Sequence, residues 1–117
     1  MTNLGIELAR RPFAGAAVLL LLSGSPLPAA DRPDTFSVEI SQMRYGTMPD
    51  YLAVGDTIVW VNKDSVTHTV TAKDRTFDLR IPPGKRVSQT LSKAGTFRIY
   101  CIYHPAMRGT VKVAPAG

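Results

Sequence analysis

Polar and apolar residues alternate in short runs along most of the chain. In "TFSVEI" Phe36, Val38 and Ile40 fall on one face and Ser37 and Glu39 on the other. That period of two marks a half-buried strand. "RVSQTL" repeats it, with Val87, Gln89 and Leu91 set against Ser88 and Thr90, and in "TFRIYC" Phe97, Ile99 and Cys101 share one face. "TIVWV", Thr57 to Val61, is almost wholly β-branched or aromatic and predicts a central strand. "YLAV", "THTVTA", "TFDLRI" and "GTVKVA" complete the set, divided by Gly55-Asp56, Pro82-Pro83-Gly84 and Lys93-Ala94-Gly95. Short strands with turns at such spacing predict an all-β fold, a Greek-key sandwich or barrel of seven to eight strands, with no helix, repeat or linker.

The first 30 residues break this pattern. Arg10 and Arg11 precede the apolar run "AGAAVLLLL", and "SGSPLPAA" follows it. Basic, apolar and then small residues is the order of an export signal. The apolar run is shorter than the ~20 residues that span a bilayer. Residues 1–30 are therefore expected to be a signal peptide and 31–117 the working domain, with the Sec and twin-arginine routes both open.

A domain of this size has a modest core, and small exported domains add disulfides or a metal. The chain of 117 residues holds one cysteine, which removes an internal disulfide and leaves the metal. The net charge is +5, and residues 31–117 keep 12 basic against 8 acidic side chains. This mild basic excess suits acidic partners or membrane headgroups. It is scattered rather than clustered, which argues against nucleic acid.

The single cysteine stands in "CIYHPAM", residues 101–107, with one of the two histidines and a methionine. Pro105 rules out a helix there, so Cys101, His104 and Met107 are expected on a tight loop between two strands. Thiolate, imidazole and thioether curled about one point suit copper or zinc. Two imidazoles and a thiolate in a plane, with a weak thioether above, make an electron-transfer copper site. The second imidazole has to come from His68, the only other histidine. Coordination also explains an unpaired thiol in an exported chain, where a free one invites oxidation. Met43 and Met48 are expected to be packing residues.

"VGDTIVWVNKDSVTHTV" and "AGTFRIYCIYHPAMRGTVKV" resemble the two signature regions of the cupredoxins, the small blue copper proteins. The resemblance runs from about Phe36 to Ala114. It implies His68, Cys101 and His104 as equatorial ligands and Met107 as the axial one, around one type 1 copper ion. It further implies a monomeric periplasmic one-electron carrier, not an enzyme, working between redox proteins such as a dehydrogenase and a c-type cytochrome. A copper chaperone, sensor or storage module is the alternative. A copper enzyme needs a second metal site with further histidines, and both are already used. Two positions depart from the family. It usually has Asn after the first ligand His and Thr or Ser after the ligand Cys, whose side chains tie the two ligand segments together. Here Thr69 and Ile102 stand there, so the tie is expected to be lost. The Thr69 backbone N–H is still expected to donate to the Cys101 sulfur.

Overall fold

The computed structural model describes residues 32–116, and the expected leader lies outside them. Nine strands follow in order: β1 (Thr35–Ser41), β2 (Arg44–Tyr45), β3 (Leu52–Ala53), β4 (Thr57–Asn62), β5 (His68–Ala72), β6 (Asp78–Ile81), β7 (Arg86–Thr90), β8 (Gly95–Tyr100) and β9 (Arg108–Ala114). They form a four-stranded sheet, β2-β1-β4-β7, and a five-stranded sheet, β3-β9-β8-β5-β6. Both sheets are mixed: β1 runs parallel to β4 and β3 parallel to β9, while the other pairs are antiparallel. This is the expected Greek-key sandwich. No helix among the described residues is long and apolar enough to cross a membrane.

The alternating positions become the core. Val38 and Ile40 of β1, Ile58 and Trp60 of β4, Val70 of β5, Phe97 and Ile99 of β8, and Val111 and Val113 of β9 are all buried. Truncating one such side chain to Ala typically costs ~2–5 kcal/mol. The β7 alternation places polar Gln89 inward, and its Oε1 accepts the buried Trp60 Nε1–H at 2.9 Å. An inward amide is tolerated there because it satisfies the indole.

The ninth strand, β2, was not expected. It pairs with β1 through Ile40↔Tyr45 and Ser41↔Arg44, so Gln42 and Met43 alone form the turn. Both have positive φ, 54° and 60°, the conformation of a two-residue turn normally built from Asn and Gly. Neither residue signals such a turn. What holds it is remote in sequence: the Asp64 carboxylate accepts the N–H of Gln42 at 2.8 Å and that of Met43 at 3.0 Å. Directly after β2, Gly46 donates its N–H to Glu39 O at 2.7 Å. A Cβ at Gly46 would stand 2.8 Å from that oxygen, so only glycine fits.

Candidate metal centre

Strand register brings the first histidine to the cysteine. β5 and β8 pair antiparallel with Thr71 opposite Tyr100. Continuing that register sets Thr69 beside Cys101 and Ile102 as the chain leaves β8. His68 opens β5 and is fully buried, as is Cys101. The return loop is a series of tight turns, with His104 N–H on Cys101 O (3.2 Å), Met107 N–H on His104 O (2.8 Å) and Cys101 N–H on Met107 O (3.2 Å). The turns swing His104 back over the sulfur and bury Met107, while Ile102 and Tyr103 stay exposed. A hollow of about 320 Å³ beside the loop is lined by Met43, Tyr45, His104, Met107 and Arg108, among others. Met43 is exposed rather than packed, because it rides on the β1–β2 turn.

The donor atoms converge. His68 Nδ1 and His104 Nδ1 each lie 3.7 Å from Cys101 Sγ. All three atoms fall within 4.8 Å of one another. The Asp64 carboxylate fixes what His68 presents to the sulfur. Asp64 Oδ2 sits 2.7 Å from His68 Nε2. A carboxylate only accepts, so Nε2 carries a proton toward Asp64 and Nδ1 is the ring nitrogen that faces the sulfur. Nδ1 and Sγ are both metal donors, and a shared cation would satisfy them together. Metal–nitrogen and metal–sulfur bonds of about 2.05 and 2.3 Å, meeting at roughly 115–120°, span that separation. The residues fit a trigonal metal centre.

The thiol is prepared for that role. Burial alone would push the Cys101 thiol up, but the Thr69 N–H and the two imidazoles outweigh it and bring it down to about 6. The Thr69 N–H lies 3.3 Å from Sγ, as the sequence led us to expect. The expected loss of the tie between ligand segments is not observed. Thr69 Oγ1 accepts the backbone N–H of Ile102 at 2.9 Å. Ile102 lacks a polar side chain, yet its amide serves instead. The Thr69 hydroxyl in turn donates to Thr71 Oγ1 at 2.9 Å, whose own proton goes to Asp78, so the tie extends into β5.

Three further residues support the site and carry no motif of their own. Asn62 is fully buried, and its Nδ2 donates to Val66 O (2.8 Å) and Ile81 O (2.9 Å) while its Oδ1 accepts Asp64 N–H (2.9 Å). It therefore shapes the loop that delivers Asp64 and then His68. The acid four residues before the histidine is the one sequence signal that points to Asp64. Tyr45 donates its hydroxyl to Thr69 O at 2.6 Å and meets the Trp60 ring edge-on. Burial, and then the nearby Cys101 charge, raise that hydroxyl and keep it protonated.

Fold and site together define a cupredoxin. The family model for the cupredoxin-like domain matches residues 13–113, and the chain belongs to that family. Its relatives include amicyanin of Paracoccus denitrificans, 36% identical over 98 residues that cover 78% of this chain and 75% of the relative. Amicyanin of Paracoccus versutus is 31% identical over 102 residues, covering 81% and 77%. Among solved structures, a methionine-to-glutamine variant of amicyanin with copper(I) superposes with a TM-score of 0.60 at 29% identity, covering 68% of this chain and 81% of that one. A methionine-to-alanine copper(I) variant gives 0.58 at 34% identity, covering 79% and 94%. The cofactor of this class is one type 1 copper ion per chain, and the thiol and two imidazoles assembled here, with Met107 buried nearby, suit it.

Proposed function

We propose that the protein is a one-electron carrier, with His68, Cys101, His104 and Met107 as the residues that would hold its copper. The observation that carries this reading is the convergence of two Nδ1 atoms, each 3.7 Å from one buried sulfur, in a frame braced from both ligand segments. Bound there, copper supplies a couple that gains or loses a single electron. The protein's own residues prepare for it. Cys101, with its thiol near 6, is largely thiolate at neutral pH and ready to ligate. Asp64 holds His68 in the ligating tautomer, and Thr69 anchors the cysteine sulfur and the loop behind it. A braced set of donors changes little between oxidation states, which keeps electron exchange fast. His104, partly exposed between exposed Tyr103 and Pro105, offers the edge through which a partner makes contact.

Residues 1–30 are proposed to be the export leader and the periplasm the place of action. The leader pattern and the family resemblance support both. The partners are redox proteins, a dehydrogenase as donor and a c-type cytochrome as acceptor by resemblance to the family. Optical and EPR spectra of the copper-loaded protein test the reading: an intense blue sulfur-to-copper band with a type 1 EPR signal is expected. A colourless copper(II) adduct overturns it. Met43, exposed at the lip of the hollow it shares with His104, favours a second reading, in which the protein hands copper on. Rapid transfer of copper(I) to a chelator, unaccelerated by unfolding, would favour that role.

A further inference from the structure

The outer faces of the two sheets differ in charge. On β8 and β9, Phe97, Ile99, Val111 and Val113 point into the core, so their neighbours point outward. The register then stacks Thr96 beside Lys112, Arg98 beside Thr110 and Tyr100 beside Arg108 on the outside of the five-stranded sheet. Lys73 joins this face: its N–H binds Arg98 O, and its Nζ lies 5.7 Å from the centre of the Tyr100 ring. Arg80 of β6 stands opposite Thr69 and Asp78 opposite Thr71. The face thus carries Lys73, Arg80, Arg98, Arg108 and Lys112. Its one strand carboxylate, Asp78, already accepts the Thr71 hydroxyl at 2.8 Å. Asp74, in the turn beyond, is committed to Thr76. The other sheet shows Ser37, Glu39 and Ser41 of β1, Val59 of β4, and Ser88 and Thr90 of β7, with strand cations only at Arg44 and Arg86 and with Lys63 and Lys85 at its strand ends.

Two observations turn this excess into a surface with a direction. Among the described residues no lysine or arginine pairs with a carboxylate. The field of the basic face is therefore not cancelled locally. Lys73, Arg98 and Arg108 also line one hollow of about 200 Å³, floored by Ile99, Gly109 and Thr110, with no acidic residue in its wall. Arg108 connects it to the ligand loop. It lines the hollow beside His104 as well, and its Nε–H donates to Pro105 O at 3.2 Å. The basic face begins where the electron port ends.

We propose that the outer face of the five-stranded sheet, centred on Lys73, Arg98 and Arg108, is the docking surface for an acidic redox protein, whose carboxylates enter that hollow while its own centre faces His104. The inference rests on the carrier reading above. A protein fits better than a lipid surface or nucleic acid because the face is continuous with the port. Exposed Ile102 and Tyr103 give the port an apolar contact, and a cationic flank gives it steering and register. The contact is brief and loses affinity as salt screens it.

The test uses copper-loaded protein, reduced plant-type ferredoxin as an acidic electron donor, and stopped-flow rates. In each event ferredoxin loses one electron and the copper centre gains it. The second-order rate should fall steeply with ionic strength. The K73E/R98E variant should lose about tenfold at low salt. K85E/R86E carries the same charge change on the other side of the sandwich and should stay within about twofold. Both variants should keep the optical spectrum of the parent. Amide NMR shifts on adding poly-L-glutamate to the copper(I) protein should map to β5, β8 and β9. Equal losses in the two variants, salt-independent rates, or shifts on the opposite sheet would overturn the docking surface. So would binding to phosphatidylglycerol vesicles that K73E/R98E abolishes without slowing ferredoxin. The absence of a type 1 spectrum in the parent would defeat the carrier reading instead, and the glutamate map, which needs no electron transfer, would still judge the face.

Discussion

His68 and His104 stand at the same distance from the same sulfur, yet the structure treats them differently. His68 opens a strand buried along its whole length, and its far nitrogen is held by Asp64. His104 sits on a loop whose flanking residues are exposed, and its far nitrogen has no protein hydrogen bond among the described residues. One ligand is set by the fold before any metal arrives. The other is left open on its outer side. On the carrier reading proposed above, chemically identical side chains take separate tasks: the strand side holds geometry, and the loop side makes contact.

The largest expected effect breaks the comparison outright. His68→Gly and His104→Gly should each abolish the blue band. Added imidazole should restore it in His104→Gly, where the gap opens to solvent, and not in His68→Gly, where the side chain removed is fully enclosed. Absorbance titration with imidazole reads this directly. Equal rescue of both would mean that the strand side is as accessible as the loop.

Next in size is Asp64. Asp64→Ala removes the acceptor for His68 Nε2–H and frees the strained Gln42–Met43 turn together. Losing such an outer partner typically costs ~10–100-fold in metal affinity, and competition with a copper(I) chelator should show a loss of that order. Asp64→Asn keeps one accepting oxygen and should fall between. A β1–β2 turn whose amide shifts do not move in Asp64→Ala would show that the carboxylate does not hold it.

The tie between the segments is a smaller term. Thr69→Val keeps the N–H on the sulfur but removes the hydroxyl that accepts from Ile102 and donates to Thr71. An N–H left without its acceptor costs ~1–3 kcal/mol. Chemical denaturation of the metal-free variant should show a loss in that range, while the copper-loaded form stays blue. An unchanged unfolding midpoint would mean that water replaces the threonine oxygen at no cost.

Much of this arrangement was legible before the fold. Eight of the strands fall on runs that the sequence marks as strands, several of them by alternation, because a strand buried on one face must alternate. The cysteine, the histidines and the loop methionine are few enough that their types alone raise the question of a metal. The supporting contacts were not legible, for a common reason. β2 depends on a turn whose residues are ordinary and whose stabiliser, Asp64, lies more than 20 positions away. The Thr69–Ile102 bond uses a backbone donor that every residue except proline has. Side-chain patterns cannot reveal bonds that a distant carboxylate or a backbone amide supplies.

The smallest expected effect sharpens the comparison by offering a carboxylate that serves a turn but no ligand. Asp74, between β5 and β6, accepts the N–H of Thr76 at 2.9 Å and its hydroxyl at 2.5 Å. The Thr76 hydroxyl first, and then its N–H, hold the Asp74 carboxyl below its ordinary value of 3.8. A carboxyl depressed in the folded state stabilises above its unfolded value, and that contribution is lost as pH falls through the lower folded value. Asp74→Asn should therefore lower thermal stability slightly at neutral pH and converge with the parent in acid, below the ordinary 3.8. Because Asp74 is fully exposed the shift should be small, and the blue band at neutral pH should not change. Asp64 answers to the same acid range but touches His68, so its loss should move stability and spectrum together. Thermal melts and optical spectra of Asp74→Asn and Asp64→Asn across that range separate a carboxylate that only ties a turn from one that also sets a ligand. If both variants leave the spectrum alone, the bracing of the strand side does not rest on Asp64.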